Sequence, residues 1–265
     1  MQDGLSVAPI DDSFWRITEP GYARPSHCYL IAGTERAALI DSGLGMLDIR
    51  ATVEELTTLD VVVLQTHAHP DHAGGSHRFD RVYAHPQAVE KLRIGWSNME
   101  LRYTLETYFK DRPLAAAVDP ETFTISPCAE VLELDNRGVV DLGDRQLDVF
   151  FTPGHAPDNV SFLELERGWL FTGDSILKGQ IAIEDSRAYR RSLGELVKLA
   201  DLAAALYPGH GESPIEPGFV RRVRQGFTDA LADRTPSGFL AGFATFQFDD
   251  FGIMLPPRRR RVREE

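Results

Sequence analysis

The sequence predicts an α/β fold in which strands end in loops that carry side chains of the metal-binding type. Short apolar runs rich in β-branched or aromatic residues recur along the chain, among them Val61–Leu64 and Leu147–Phe151. Such runs are typical of buried strands. Stretches with the apolar spacing of amphipathic helices lie between them, for example Leu47–Leu56 and Ser192–Ala205. This alternation predicts sheets flanked by helices.

Composition limits the classes of function. The chain has 265 residues, of which 43% are hydrophobic, an ordinary globular composition that permits a sizeable core. A net charge of −12 argues against nucleic acid as a partner. No apolar run is long enough for a transmembrane helix and no signal peptide is apparent, so we expect a cytoplasmic protein without a membrane partner. A homodimer is left open.

The densest group of polar side chains follows the predicted strand Val61–Leu64. The segment Gln65–Gly75 reads QTHAHPDHAGG and places four potential ligands within six positions, namely His67, His69, Asp71 and His72. Isolated histidines are usually structural, but four such groups after a buried strand are costly to bury without a partner. Imidazole nitrogen and carboxylate oxygen suit zinc, manganese or ferrous iron. The segment therefore predicts a metal site.

Three further apolar segments each end in a turn of small residues that presents one more potential ligand. His155 follows Leu147–Phe151, Asp174 follows the strand at Trp169, and His210 follows the strand that ends at Tyr207. With the central group, the chain offers seven donors. That number exceeds the needs of one tetrahedral zinc ion and suits two divalent ions that share a bridging carboxylate. We predict two zinc ions, with iron or manganese as alternatives.

Five segments in combination resemble the metallo-β-lactamase-fold hydrolases. They are Asp41-Ser42-Gly43, THAHPDHAGG, TPGH, FTGDS and YPGHGE, in the family's order over residues 41–212. The resemblance implies a four-layer αββα sandwich with the metals at one edge, between the two sheets. It also implies the ligand roles: His67, His69 and His155 for the first ion, Asp71, His72 and His210 for the second, and Asp174 as the bridge.

This ligand set implies hydrolysis. Two divalent ions can share a water and lower its pKa, and the resulting bridging hydroxide attacks an acyl carbon. Asp71 is also a candidate catalytic residue that steers a proton to the leaving group. Asp41, at the end of a predicted strand, has two interpretations of equal weight: a carboxylate that orients a ligand histidine, or a turn cap.

The substrate class follows from finer resemblances and departures. Asp174 stands where many true β-lactamases have a cysteine, which favours the glyoxalase II, lactonase and acyl-thioesterase branches. The stretch TPGHAPDNVSFLE resembles small acyl-thioester hydrolases, including the acyl-CoA hydrolase type. Lactonases of the fold carry a tyrosine just after the bridging aspartate, whereas Ser175-Ile176-Leu177 follows here. We predict a small-molecule acyl thioester as substrate, with lactone or ester hydrolysis second and an iron-dependent persulfide dioxygenase as the alternative from another class.

The remaining predictions concern domain organisation. We expect a single domain over residues 1–255, with a helical insertion at about 86–113, and a basic tail over residues 256–265 that includes five arginines. The aromatic residues of the insertion form a packed helix face or line an apolar substrate pocket, for which the candidates are Trp96, Tyr103 and Tyr108.

Overall fold

The computed structural model describes residues 4–20, 25–109, 118–232 and 235–256. Within these ranges the chain forms sixteen strands and six α-helices. The strands are β1 (Ser6–Asp11), β2 (Phe14–Glu19), β3 (Ser26–Ala32), β4 (Ala37–Ile40), β5 (Val61–Leu64), β6 (Val82–Ala84), β7 (Val131–Glu133), β8 (Val139–Asp141), β9 (Gln146–Phe151), β10 (Val160–Glu164), β11 (Trp169–Gly173), β12 (Gln180–Ala182), β13 (Ala205–Pro208), β14 (Gly238–Leu240), β15 (Phe243–Gln247) and β16 (Gly252–Leu255). The helices are α1 (Ile49–Leu56), α2 (Pro70–Ala73), α3 (Val89–Ile94), α4 (Asn98–Phe109), α5 (Ser186–Ala200) and α6 (Phe219–Ala232).

The first sheet contains β1 to β7 in chain order. Its strands pair antiparallel as far as β4, and β4 to β7 pair parallel. Ile40 at the end of β4 lies opposite Leu64 at the end of β5. Parallel strands in this register end at the same edge of the sheet, so the turn at Asp41 and the loop that begins at Gln65 start side by side.

The second sheet has the strand order β13-β11-β10-β9-β8, and a smaller mixed sheet has the order β12-β16-β15-β14. In the second sheet β11 and β13 run parallel, with Gly173 paired to Pro208. Asp174 and His210 follow these paired residues, so both leave the sheet at one edge. The parallel pairs of the two large sheets therefore determine which loops can meet.

The two large sheets pack face to face over an apolar core. Phe14 and Tyr29 from the first sheet contact Phe171 and Tyr207 from the second, with ring centroids 4.9–5.7 Å apart. A second core lies between the first sheet and helices α1 to α4, and a third lies between the second sheet and helices α5 and α6. The layers are thus helix, sheet, sheet, helix, which confirms the predicted αββα sandwich.

Several element boundaries differ from the predictions. The helix expected over Ser192–Ala205 begins six residues earlier, at Ser186, because Asp185 caps it: its carboxylate accepts hydrogen bonds from Arg187 N and Ala188 N. It ends at Ala200, and Ala205 begins β13. Apolar spacing alone marks the ends of a helix poorly, and here the start is set by the cap. Among the described residues, no helix is both long and apolar enough to cross a bilayer.

A buried ion pair lies in the second sheet, and its arginine also contacts the first sheet. Arg145 makes two hydrogen bonds of 2.8 Å to the carboxylate of Glu164, and its Nη1 also donates to Ser13 Oγ at 2.8 Å. The side chains of Arg145 and Glu164 are 4% and 2% exposed. Such a pair is costly to break because the remaining charge stays buried.

We predict that Arg145→Ala lowers the free energy of unfolding by about 3–5 kcal/mol, since Glu164 is left buried without its cation. Chemical denaturation measures this. Arg167→Ala is the matched control, because Arg167 pairs with Asp11 on the surface and such pairs contribute about 1 kcal/mol or less. Equal effects of the two substitutions would contradict the prediction.

Candidate metal centre

The seven predicted ligand side chains lie together at the edge where β5, β9, β11 and β13 end. Those near β5 are carried by the following loop and by α2, whose first residue is Pro70. The potential ligand atoms form three overlapping sets, and the atoms within each set lie within 4.8 Å of one another. The sets are His67, His69 and His155; His67, His72 and Asp174; and Asp71, His72 and His210. All members are buried except His69, which is half-buried.

The first set consists of three imidazoles. His69 Nδ1 lies 3.0 Å from His67 Nε2 and 3.2 Å from His155 Nε2. Two nitrogen ligands of a tetrahedral zinc ion, each about 2.0–2.1 Å from the metal, would lie about 3.3 Å apart. The ring nitrogens therefore have the spacing of ligands around one small divalent ion.

The second set, as the name is used from here on, consists of Asp71, His72 and His210, and combines two imidazoles with one carboxylate. His210 Nε2 lies 3.2 Å from His72 Nε2 and 3.1 Å from Asp71 Oδ2. Asp174 lies between the two sets: Oδ1 is 3.4 Å from His72 Nε2 and 3.6 Å from His210 Nε2, and Oδ2 is 3.7 Å from His155 Nε2. One carboxylate thus faces ligand atoms of both sets, which is the position of a bridge.

The hydrogen bonds of the histidine rings indicate which ring nitrogens can bind a metal ion. His155 Nδ1 lies 2.8 Å from Ala182 O, and His210 Nδ1 lies 2.8 Å from Pro25 O. A carbonyl oxygen only accepts, so each Nδ1 donates and each Nε2 of the neutral ring carries a lone pair. These lone pairs point toward the other donor atoms of the cluster. A cation among them would accept these lone pairs, so the donor set fits a metal ion.

Burial keeps His67 and His69 neutral. It lowers the pKa of His69 to about 4 and the pKa of His67 well below its ordinary value, since a charged ring is poorly solvated there. The neighbouring histidines act in the same direction. At neutral pH these rings are uncharged and can bind a metal without losing a proton.

Carboxylates and histidines shift each other's pKa values in the second set. Burial alone would lower the pKa of His72, but the carboxylates of Asp174, Asp71 and Asp41 raise it well above its ordinary value. For Asp71 burial acts to raise the pKa, and His72 and His210 lower it well below its ordinary value. The surrounding carboxylates therefore favour positive charge at this point, in the form of a proton or of a divalent ion that replaces it.

Asp41 lies against the ligands from the neighbouring turn. Its Oδ2 accepts hydrogen bonds from His72 Nδ1 at 2.8 Å and from Thr66 Oγ1 at 2.7 Å, and its Oδ1 accepts from Thr66 N at 2.8 Å. Its φ of 59° is in the left-handed region, which aspartate tolerates better than most residues. These contacts orient the ring of His72 so that Nε2 faces the cluster, the first of the two interpretations that the sequence left open.

Sequence reasoning did not single out Thr66 and Asp158. The hydroxyl of Thr66 donates to Asp41, and its oxygen lies 3.1 Å from His67 Nδ1, so it links the turn to the first set. Asp158 accepts a hydrogen bond from Ala68 N at 2.8 Å. Its only sequence signal is a carboxylate three residues after His155, which by itself is also typical of a turn.

The other described histidines have local partners. His27 Nε2 donates to Gly211 O at 2.8 Å, and its Nδ1 lies 3.0 Å from Thr18 Oγ1. His77 Nδ1 lies 2.8 Å from Gly74 O, and His85 Nδ1 accepts from Gln87 N at 3.1 Å. These contacts agree with the structural roles expected for isolated histidines.

The predicted pocket residues are described only in part. Trp96 is 6% exposed and packs in the core beneath the helices, with Lys91 Nζ 5.0 Å from its ring centroid. It therefore belongs to a packed face, which was the alternative interpretation of this segment. The side chains of Tyr103 and Tyr108, residues 110–113 of the helical insertion, and residues 257–265 of the basic tail lie outside the described residues.

We predict that His155→Ala lowers the zinc content by about one ion per chain, because the first set loses one of its three nitrogen ligands. Elemental analysis after dialysis against dilute zinc measures the change. His77→Ala is the control, since the ring of His77 contacts a backbone carbonyl outside the cluster. A zinc content that is the same in both variants would argue against this ligand assignment.

Comparisons with known proteins agree with this arrangement. Residues 21–210 match the model of the metallo-beta-lactamase superfamily. The human acyl-coenzyme A thioesterase MBLAC2 is 30% identical over 225 residues, which cover 76% of this chain and 78% of the human protein.

Solved structures show the same fold. A metallo-beta-lactamase family protein from Thermus thermophilus superposes with a TM-score of 0.64 at 24% identity, covering 84% of this chain and 82% of that protein. A metallo-beta-lactamase from Pontibacter korlensis gives 0.62 at 20% identity, covering 85% and 99%. The sequence match spans most of the chain and includes all seven clustered side chains, so this protein belongs to the metallo-β-lactamase superfamily.

Proposed function

We propose that this protein is a binuclear metal-dependent hydrolase of thioesters, with acyl-coenzyme A or a similar acyl thioester as substrate. The observation that carries the proposal is the position of Asp174, whose two oxygens face both sets of imidazole ligands. The likeness to MBLAC2, named as an acyl-coenzyme A thioesterase, supports the thioester as the bond that is cleaved.

The residues would divide the work between two metal positions. His67, His69 and His155 would hold one divalent ion, Asp71, His72 and His210 the other, and Asp174 would contact both. When bound, the two ions supply a water of lowered pKa and a Lewis acid for the substrate carbonyl. The carbonyl contacts of His155 and His210 hold their rings in place, so the ligand atoms need little rearrangement during the reaction.

Asp71 is the proposed proton carrier. The carboxylate of Asp71 lies 3.1 Å from His210 Nε2 within the cluster, where its oxygens can accept a proton. It would take the proton released by the attacking water and deliver it to the leaving group. A thiol leaving group has a pKa of about 8.5 and departs readily as thiolate. Delivery of a proton to the leaving group therefore matters less for a thioester than for an oxygen ester.

The residues after Asp174 favour a thioester over a lactone. Ser175, Ile176 and Leu177 are 0–1% exposed and present no phenol to a substrate. Ser175 Oγ accepts a hydrogen bond from Asn159 Nδ2 at 3.1 Å, and the buried phenol of Tyr189 donates its hydroxyl to Ser175 O at 2.6 Å. A lactone or oxygen ester therefore remains the second substrate class.

The first test is the metal content per chain, measured by elemental analysis beside a hydrolysis panel of acyl-CoA thioesters, lactones, esters and a β-lactam. We expect about two divalent ions and turnover of the thioesters. One iron per chain, oxygen uptake with glutathione persulfide and no hydrolysis would instead assign the protein as a persulfide dioxygenase.

We further predict that Asp174→Ala lowers kcat for the best thioester more than about 100-fold, because both ions lose a shared ligand. Steady-state kinetics at saturating zinc measure the effect. Asp185→Ala serves as the control, because Asp185 caps α5 and is exposed. Full activity of Asp174→Ala would refute the binuclear mechanism.

A further inference from the structure

Asp158 is a buried carboxylate outside the set of proposed ligands. It is 7% exposed and lies on the loop that follows β9, three residues after His155. Its Oδ2 accepts the hydrogen bond of Ala68 N at 2.8 Å. Ala68 stands between His67 and His69, so one hydrogen bond connects the loop of the third imidazole with the segment that carries the first two.

The direction of this hydrogen bond bears on the ligand geometry. The N–H of Ala68 belongs to the peptide between His67 and Ala68, and His69 is the next residue; the ring nitrogens of the two histidines lie 3.0 Å apart. Rotation of this peptide changes ψ of His67 and φ of Ala68, and so would shift His69 relative to His67. An ionised acceptor forms a shorter and stronger hydrogen bond than a neutral one. Asp158 therefore opposes that rotation.

The loop that carries Asp158 is itself held firmly. Val160 N donates to Thr66 O at 2.7 Å, and Thr152 N donates to Asn159 O at 2.8 Å. Asn159 Nδ2 donates to Ser175 Oγ at 3.1 Å, beside the bridging Asp174. These hydrogen bonds hold the loop, and with it the carboxylate of Asp158, in place.

Asp41 and Asp158 contact different parts of the cluster. Asp41 contacts His72 Nδ1, a ligand of the second set. Asp158 contacts the backbone between His67 and His69, which belong to the first set together with His155. Asp41 also reaches the first set through Thr66, whereas the hydrogen bond of Asp158 is made to the first set alone.

We propose that Asp158 is a positioning residue that holds the His67–His69 segment against His155 and so sets the affinity of the first half of the centre for a divalent cation. The proposal rests on the binuclear centre of the proposed function. It assigns to Asp158 no contact with substrate. Its effect should be confined to one of the two metal positions, which separates it from a general contribution to folding.

The test measures zinc affinity in two backgrounds that each retain one half. Asp71→Ala with His210→Ala leaves the first set intact, and His69→Ala with His155→Ala leaves the second. Zinc is titrated against a chromophoric chelator, with and without Asp158→Ala. We expect the substitution to weaken zinc binding about 10–100-fold in the first background, the usual effect of losing a residue that supports a ligand. In the second background we expect less than about a twofold change.

Asp158→Asn provides the conservative comparison. It retains an oxygen acceptor for Ala68 N but loses the charge, so we expect a smaller loss that is still confined to the first background. If Asp158→Ala does not fold, this variant decides the question. Equal losses in the two backgrounds, or no loss in either, would overturn the proposal.

Metal content and thioester turnover of the wild-type protein test the proposed function independently of the role of Asp158. Two zinc ions without turnover of any thioester would refute the proposed substrate, while the affinity measurements would still decide the role of Asp158. Turnover of thioesters together with an Asp158→Ala effect that is equal in both backgrounds would leave the function standing and refute the positioning role.

Discussion

The structure depends on the burial of five imidazoles and two carboxylates within one small volume. Ring nitrogens only 3.0–3.2 Å apart face one another, and the rings of His155 and His210 already use their other nitrogen on backbone carbonyls. Burial of so many polar groups is costly unless they have partners. A cation bound within the cluster would supply such a partner.

The fold supplies the donors from four separate strands. Parallel pairing of β4 with β5 and of β11 with β13 makes these strands end at common edges. Packing of the two sheets over the core around Phe14 and Phe171 then brings the two edges together. The ligand atoms thus come from elements whose positions are determined by backbone hydrogen bonds and apolar packing, and not by the metal alone.

Two carboxylates outside the ligand set accept hydrogen bonds from it or from the backbone beside it at the same edge. Asp41 accepts from the imidazole of His72, whereas Asp158 accepts from the backbone between His67 and His69. One carboxylate therefore orients a ring and the other a peptide. Asp174 lies between the two sets, with one oxygen near His72 and the other near His155.

The apolar runs of the sequence predicted an α/β fold, and its resemblance to a known family implied the αββα layers. The sequence also singled out the seven side chains that the structure brings together, because they follow strands at short turns. It could not decide between the two interpretations of Asp41, since a turn cap and a histidine partner look alike until β4 lies beside β5. It also missed Asp158, and it set the start of α5 too late, since caps and loop contacts depend on three-dimensional position. Tertiary structure alone placed Trp96 in a packed core, because helical spacing does not show which surface a helix face meets.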